Sequence, residues 1–352
     1  MDSWYLDNLT CPHDGGGVEF LDGRLVCRGG HRFPVVDGIP VMLRADVSQT
    51  MGLVTASIRD ADRWREDTSN ECPLFLNSLG INDEEKKGIV RLAAEPTCKV
   101  DPVVSYLVGA TSGIAYKHLI GRLQEYPIPT IRLPHANGET LLDVGCNWGR
   151  WSIAAAAKGY KTVGIDPSLG AVMAAKRVTT QLGLDTKFVV GDARFLPFRS
   201  TTFDRVFSYS VLQHLNRDDV VQAVAEIGRV LKVGGHSMVQ MPTVLGIRCL
   251  YHQARRRFRK AQDFEVRYWT VPALRRLFAS GVGITTISVD CFFGTGLQYS
   301  DMSLMPLTHK VAIVLSELLS AASRKLYPLT YIDDSVYASS MKITTHTKSL
   351  PS

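Results

Sequence analysis

From Thr140 onward the chain repeats one pattern: a short apolar run, a glycine or acid at its end, then a helical stretch. This alternation constrains the fold more than any other feature, because strands separated by helices close as right-handed βαβ units into a parallel sheet. The runs lie at 140–144, 161–165, 186–190, 203–208 and 236–241, with helices expected over 149–158 and 168–182. A third helix has Asn216 as its cap, Asp218 and Asp219 in its first turn, and Val220, Val221, Val224, Ile227 and Leu231 at helical spacing. Its end is expected at Gly234-Gly235. Thr270 caps a further helix with Pro272 in its first turn, and 283–291 and 334–342 supply two last strands around an insertion with a helix near 310–322. The expected fold class is α/β, with a doubly wound, mostly parallel sheet.

In an open parallel sheet, ligands sit beyond the carboxyl ends of the strands. This chain places its unusual residues there: Asp143, Gly145, Cys146, Asn147 and Gly149 after the first strand, Asp166-Pro167 after the second, Asp192-Ala193 after the third, and Tyr209-Ser210 after the fourth. Each has a physical task if the ligand is an adenosine with a charged tail. Gly145 lets the backbone turn and approach the ligand without a Cβ. Asp143 accepts from a cationic amino group or balances the charge of a sulfonium. Asp166, 23 residues further on, accepts both ribose hydroxyls. Asp192 accepts the adenine amino group while the Ala193 N–H donates to a ring nitrogen.

The stretches Leu-Leu-Asp-Val-Gly-Cys, Val-Gly-Ile-Asp-Pro-Ser, Val-Gly-Asp-Ala-Arg-Phe-Leu-Pro-Phe, the segment 202–215 and Arg-Val-Leu-Lys-Val-Gly-Gly follow one another over roughly a hundred residues. In that order they resemble a class I S-adenosylmethionine-dependent methyltransferase. The resemblance implies a Rossmann-like, seven-stranded domain with S-adenosyl-L-methionine held by the residues just named, Ser210 among them. A nicotinamide-binding fold shares the glycines and the second acid. Against it stand the leading Asp143, which would repel a pyrophosphate, and the lack of any Tyr-x-x-x-Lys pair. The departure from the family is Asn147-Trp148 in place of a second glycine. Asn tolerates a left-handed backbone, so the turn survives. Trp148 is expected over the loop or at the pocket mouth, with core packing as the alternative; Trp151 is expected in the core.

Methyl transfer is an in-line displacement at an activated carbon, so alignment and water exclusion carry much of it. A hydroxyl or acidic-carbon acceptor also needs a base, for which Tyr209 and His214 are the candidates, His214 having a structural or cofactor-side role as its alternative. Between Arg248 and Arg276 nine basic residues face two acids, a local charge of +7 in a chain of net charge +6. The run Arg255-Arg-Arg-Phe-Arg-Lys260 reads as a grip on phosphate, in RNA, a lipid head group or a small anion, or else as a solvated helix face.

Residues 1–45 read as a small β-ribbon module punctuated by Asp-Gly and Gly-Gly pairs, 46–135 as a helical linker or lid, and 136–345 as the methyltransferase domain. The module resembles the zinc-ribbon domain that accompanies several tRNA, rRNA and protein methyltransferases. Its knuckles are incomplete, leaving Cys11, Cys27, His31 and either Asp14 or His13 as ligands for zinc, or a metal-free ribbon held by Val35, Ile39, Val41 and Leu43. Seven scattered cysteines, no apolar run long enough to span a membrane and no signal-like start suggest a cytoplasmic enzyme without a transmembrane segment. The expected acceptor is a small or lipid- or sugar-linked molecule. RNA is the alternative partner, and a cofactor-binding scaffold without turnover is a third reading.

Overall fold

In the computed structural model, which describes residues 1–47, 52–64, 74–111, 114–294 and 296–343, Asp2 caps helix α1 (Ser3–Asn8) by accepting from the Trp4 N–H at 2.8 Å. The sequence patterns had given no sign of this helix. Four antiparallel strands follow in the order β1 (Val18–Leu21), β2 (Arg24–Cys27), β3 (Arg32–Val36) and β4 (Ile39–Pro40). Two of their turns are Asp22-Gly23 and Asp37-Gly38, all four residues at positive φ, the backbone that matches the twist of a tight hairpin.

Next comes a helical layer of α2 (Leu53–Arg63), α3 (Asp83–Ala93) and α4 (Pro102–Thr111), with 3-10 turns at Leu76–Ser78 and Ile114–Leu119. α3 starts in a capping box in which Asn82 and Glu85 satisfy each other's backbone N–H groups.

The main sheet alternates as expected: β5 (Thr140–Val144), α5 (Arg150–Ala156), β6 (Lys161–Asp166), α6 (Leu169–Gln181), β7 (Lys187–Val190), β8 (Phe203–Ser208), α7 (Arg217–Val230), β9 (Leu231–Pro242), α8 (Ile247–Arg255), α9 (Val271–Gly281), β10 (Gly283–Cys291), α10 (Leu307–Ser323) and β11 (Ser335–Lys342). Its order is β10-β11-β9-β8-β5-β6-β7. The strands are parallel except β11, which runs antiparallel to both neighbours. This is the class I methyltransferase fold, with the reversal of strand order between β5 and β8.

One boundary differs from expectation. α7 stops at Val230, not at Gly234-Gly235, and β9 runs through both glycines. Leu231 is fully buried and pairs with Phe203, and the register shift between Phe203 and Arg205 takes up the extra residues around Gly234 at φ +77°. Burying Leu231 in the sheet core outweighs the helix-stop signal of the glycines.

The ribbon shares its core with the sheet. Leu9, Leu25, Phe33 and Met42 pack in one cluster with Val189 and Phe198. Tyr5 guards the edge strand β7: its hydroxyl accepts from the Phe188 N–H at 3.1 Å and donates to the Phe188 carbonyl at 2.9 Å. Met42 adds a bond to the Val190 carbonyl at 2.7 Å. An otherwise bare strand edge is thereby covered.

Candidate active site at the strand ends

A cavity of about 550 Å³ opens at the carboxyl ends of β5, β6, β8 and β9, the position the sheet topology dictates. Gly145 has φ +78°, and a side chain there would overlap Val211, so only glycine carries the chain past the pocket floor. Asn147 takes the left-handed backbone at φ +48° and steadies it by accepting from the Trp148 N–H at 2.9 Å. Its own N–H donates to Asp166 Oδ2 at 3.0 Å, while the Ser168 N–H donates to Asp166 Oδ1 at 2.9 Å. The acid is thus aimed by two backbone donors. Burial pushes its carboxyl up to about 6.

Gly145, Cys146, Asn147, Asp166, Pro167, Asp192, Ala193, Tyr209, Ser210 and His214 all line this one cavity. Asp143 and Gly149 do not. Asp143 is buried beneath the loop, its Oδ2 accepting from the Ser152 hydroxyl at 2.7 Å, and burial pushes it up to about 7. Its expected contact with a cationic tail is therefore replaced by an internal bond to α5. Gly149 starts α5 at φ +83°, with Ala175 3.2 Å from where its Cβ would be, so it serves helix packing rather than the ligand.

Several partners lay outside the sequence reading. Arg194 binds Asp192 at 2.7 Å and Asp219 at 3.2 Å, holding the third strand-end acid from one side. Leu53, Val54 and Leu79 from the helical layer roof the cavity. Leu53 and Val54 are placed by Ser57, which donates to the Pro167 carbonyl at 2.7 Å and accepts from the Leu169 N–H at 3.0 Å, and Leu79 by its neighbour Ser78, whose hydroxyl accepts from the Gly170 N–H at 2.7 Å. Trp148 is almost fully buried among Val104, Leu107, Ala171 and Val178, so it also fastens the glycine loop to the helical layer. Trp151 is buried against Phe207 and Tyr209.

The two base candidates differ. The Tyr209 hydroxyl donates to Asp290 at 3.0 Å, and burial together with the charge of Asp290 holds the phenol well above its ordinary value. It is a donor there, not a base. His214 Nδ1 lies 2.7 Å from the Phe264 carbonyl, which makes it the protonated nitrogen and leaves Nε2 as an acceptor facing the Gln213 amide at 3.2 Å. Burial pulls the ring down to about 4, so it is neutral at physiological pH and a weak proton acceptor.

The far half of the cavity is built by α8, the segment 264–268 and the start of β11, among them Arg248, His252, Phe264, Tyr268 and Asp334. Asp334 Oδ1 accepts from the Arg248 and Cys249 N–H groups at 2.8 and 3.0 Å, capping α8. Among the described residues its buried Oδ2 has no hydrogen-bond partner. Such an atom costs free energy unless something donates to it, and because Asp334 lines the cavity it is a candidate contact for a bound molecule. In the sequence Asp334 reads as the first residue of a strand, with nothing local to mark it as part of a site; β11 begins at Ser335.

A second cluster sits in the ribbon. The donor atoms of Cys11, Asp14, Cys27 and His31 all lie within 4.8 Å of one another. The separations are 3.5 Å from Cys11 Sγ to His31 Nδ1, 3.3 Å from Cys27 Sγ to the same atom, 3.4 Å from Cys27 Sγ to Asp14 Oδ2, and 3.2 Å from His31 Nδ1 to Asp14 Oδ2. Tetrahedral zinc, with bonds of about 2.3 Å to sulfur and 2.0 Å to nitrogen or oxygen, needs edges of roughly 3.3–3.8 Å. Gly29 makes room: a Cβ there would strike Asp14 and lie 3.4 Å from His31 Nδ1 and 3.5 Å from Cys27 Sγ. His13 instead stacks on His31 with ring centroids 4.2 Å apart. The donor set and its spacing fit zinc.

Residues 141–235 match the family described as a methyltransferase domain. They run from β5 to the start of β9 within this class I methyltransferase fold. Among curated proteins, the methyltransferase domain is similar to the demethylmenaquinone methyltransferase of Oceanobacillus iheyensis, 34% identical over 122 residues, 33% of this chain and 50% of that protein. The sterol 24-C-methyltransferase of Pneumocystis carinii is 34% identical over 101 residues, 28% of this chain and 26% of its own length. The chain therefore spans half the length or less of these relatives. Among solved structures, a SAM-dependent methyltransferase of Methanosarcina mazei aligns over 59% of this chain and 94% of its own at 17% identity, with a TM-score of 0.43.

Proposed function

We propose that this protein transfers the methyl group of S-adenosylmethionine to a small or lipid- or sugar-linked acceptor. The observation that carries this reading is the single cavity that joins the Asp166–Asp192 half to the Tyr268–Asp334 half. In the first half, Asp166 accepts the ribose hydroxyls, the Asp192 segment meets the adenine, and Gly145, Cys146, Asn147, Pro167 and Ser210 complete the walls. In the second half, Asp334 Oδ2 accepts from a hydroxyl or amine of the acceptor and orients it. The acceptor's lone pair attacks the methyl carbon, the carbon–sulfur bond breaks, and sulfur keeps the bonding pair, leaving S-adenosylhomocysteine; the acceptor's proton departs to water or to Asp334. Alignment and the roof from α2 supply most of the catalysis.

The apolar parts of the second half, Phe264 and Val266, suit an acceptor with hydrocarbon character. The names of the two relatives, which carry demethylmenaquinone and sterol, agree with that class. As part of the same proposal, the chain divides into a ribbon over 1–45, a lid over 46–135 and the catalytic domain over 136–345, and zinc in the ribbon has a structural role. Among the described residues no helix is long and apolar enough to cross a membrane, and six cysteines are free thiols, Cys72 lying outside those residues. We place the enzyme in the cytoplasm on the cysteines.

The test is methyl-tritiated S-adenosylmethionine incubated with the protein and a fractionated cell extract. Label is expected in the solvent-extractable or small-molecule fraction. Label confined to RNA would replace the acceptor class, and S-adenosylhomocysteine binding without any label transfer would favour a silent scaffold.

A further inference from the structure

α8 is amphipathic in the reverse of the usual sense. Its buried side is polar or small, with Cys249 and Gln253 turned inward, whereas Ile247, Leu250 and Tyr251 face solvent at 62%, 39% and 56% exposure. The spacing of three and four residues puts these side chains on one face. After α8 the backbone turns through Arg257 and Phe258, both at positive φ, and Phe258 is 69% exposed. Exposed Arg255, Arg257, Arg259 and Lys260 surround this apolar surface; Glu265 answers only Arg259.

The surface also has a place in the site. A depression lined by Arg255, Arg256, Arg257 and Arg259 against the single acid Glu265 shares His252, Val266 and Tyr268 with the acceptor half of the main cavity. The arginines therefore rim one mouth of that cavity.

We propose that α8 and the segment 256–264 dock on an anionic lipid surface, with the apolar face entering the head-group boundary and the arginines pairing lipid phosphates. Apolar side chains on one face of a helix flanked by cations are what holds a helix in the plane of a charged membrane. RNA would use the arginines and stack on the aromatic rings, but it has no use for Ile247 and Leu250. A second copy on a two-fold axis would bring the arginines against their own equivalents. On this arrangement a lipid-linked acceptor passes from the membrane into the cavity without crossing water. The docking rests on the surface of α8 and not on the chemistry of the cavity, so it is read in the absence of cofactor and fails separately from methyl transfer.

The test is co-sedimentation of the full-length protein with sucrose-loaded vesicles, either phosphatidylcholine alone or phosphatidylcholine with phosphatidylglycerol, with and without a short single-stranded RNA. Two variants accompany it, Leu250→Asp with Phe258→Asp, and Arg255→Glu with Arg257→Glu; unchanged stabilisation by S-adenosylhomocysteine shows that each still folds. The wild type is expected to sediment with the anionic vesicles and not the neutral ones, and each variant to bind at least tenfold more weakly. The proposal is overturned if the wild type ignores both vesicles, if RNA alone is bound, or if the apolar variant binds vesicles as well as the wild type.

Discussion

Asp166 holds its two backbone donors at about 3 Å and yet has its carboxyl raised to about 6, because burial outweighs those bonds. Two consequences of opposite sign follow. In the free protein the folded state binds this proton more tightly than the unfolded chain does. Its stabilising contribution is complete below the unfolded value of 3.8 and is lost as pH rises through about 6. Cofactor binding runs the other way, since the ionised acid is the form that accepts two ribose hydroxyls. Calorimetric titration with S-adenosylhomocysteine is expected to show affinity falling as pH drops below about 6, approaching tenfold per unit. Asp166→Ala is expected to remove that pH dependence and to weaken binding by about 1.5–3 kcal/mol. Affinity unchanged by the substitution would contradict the role. At this scale the sequence marks the strand ends at which Asp166 and Gly145 line the cavity. It carries no sign that Asp143 is bonded beneath the loop to Ser152, nine residues on in the first turn of α5.

Among the elements, the ribbon gives the clearest test. Its donors come from the turn between α1 and β1 and from the end of β2 with the turn after it, and this geometry, with Gly29 leaving a gap, brings them together. Because Leu25, Phe33 and Met42 belong to the same core as the main sheet, loosening the ribbon should be felt by the whole protein. Protein purified without chelator is expected to contain about one zinc per chain, as this four-donor site implies. Removing it, or making Cys27→Ser, should lower the melting temperature by several degrees, as expected for a loss of about 2 kcal/mol or more in a domain of this size. Metal-free protein with unchanged melting would show the ribbon to be held by its apolar residues alone. The candidate ligands come from the resemblance to a zinc ribbon, and the choice of Asp14 over His13 needed the fold, which stacks His13 on His31 instead. The end of α7 was misread for a related reason: a glycine pair signals a helix stop locally, and the burial of Leu231 is decided by strand β8.

For the molecule as a whole, the parallel sheet and its ligand edge were legible from the alternation of strands and helices, since that periodicity leaves few topologies open. The acceptor half of the site was not. It is assembled from α8, the segment after it and β11, elements about 90 residues apart that meet only because β11 inserts antiparallel between β9 and β10. Asp334 and Tyr268 therefore carry no motif. The roof from α2 is equally remote in sequence, tied down through Ser57 to the turn after β6. The account predicts one continuous site in which cofactor and acceptor meet between these groups. A crystal structure of the complex with S-adenosylhomocysteine tests it most directly. The ribose should lie on Asp166, the adenine beside Asp192 and Ala193, and the sulfur should face Tyr268 and Asp334; a nucleoside bound elsewhere, or turned with its sulfur away from Asp334, would contradict it.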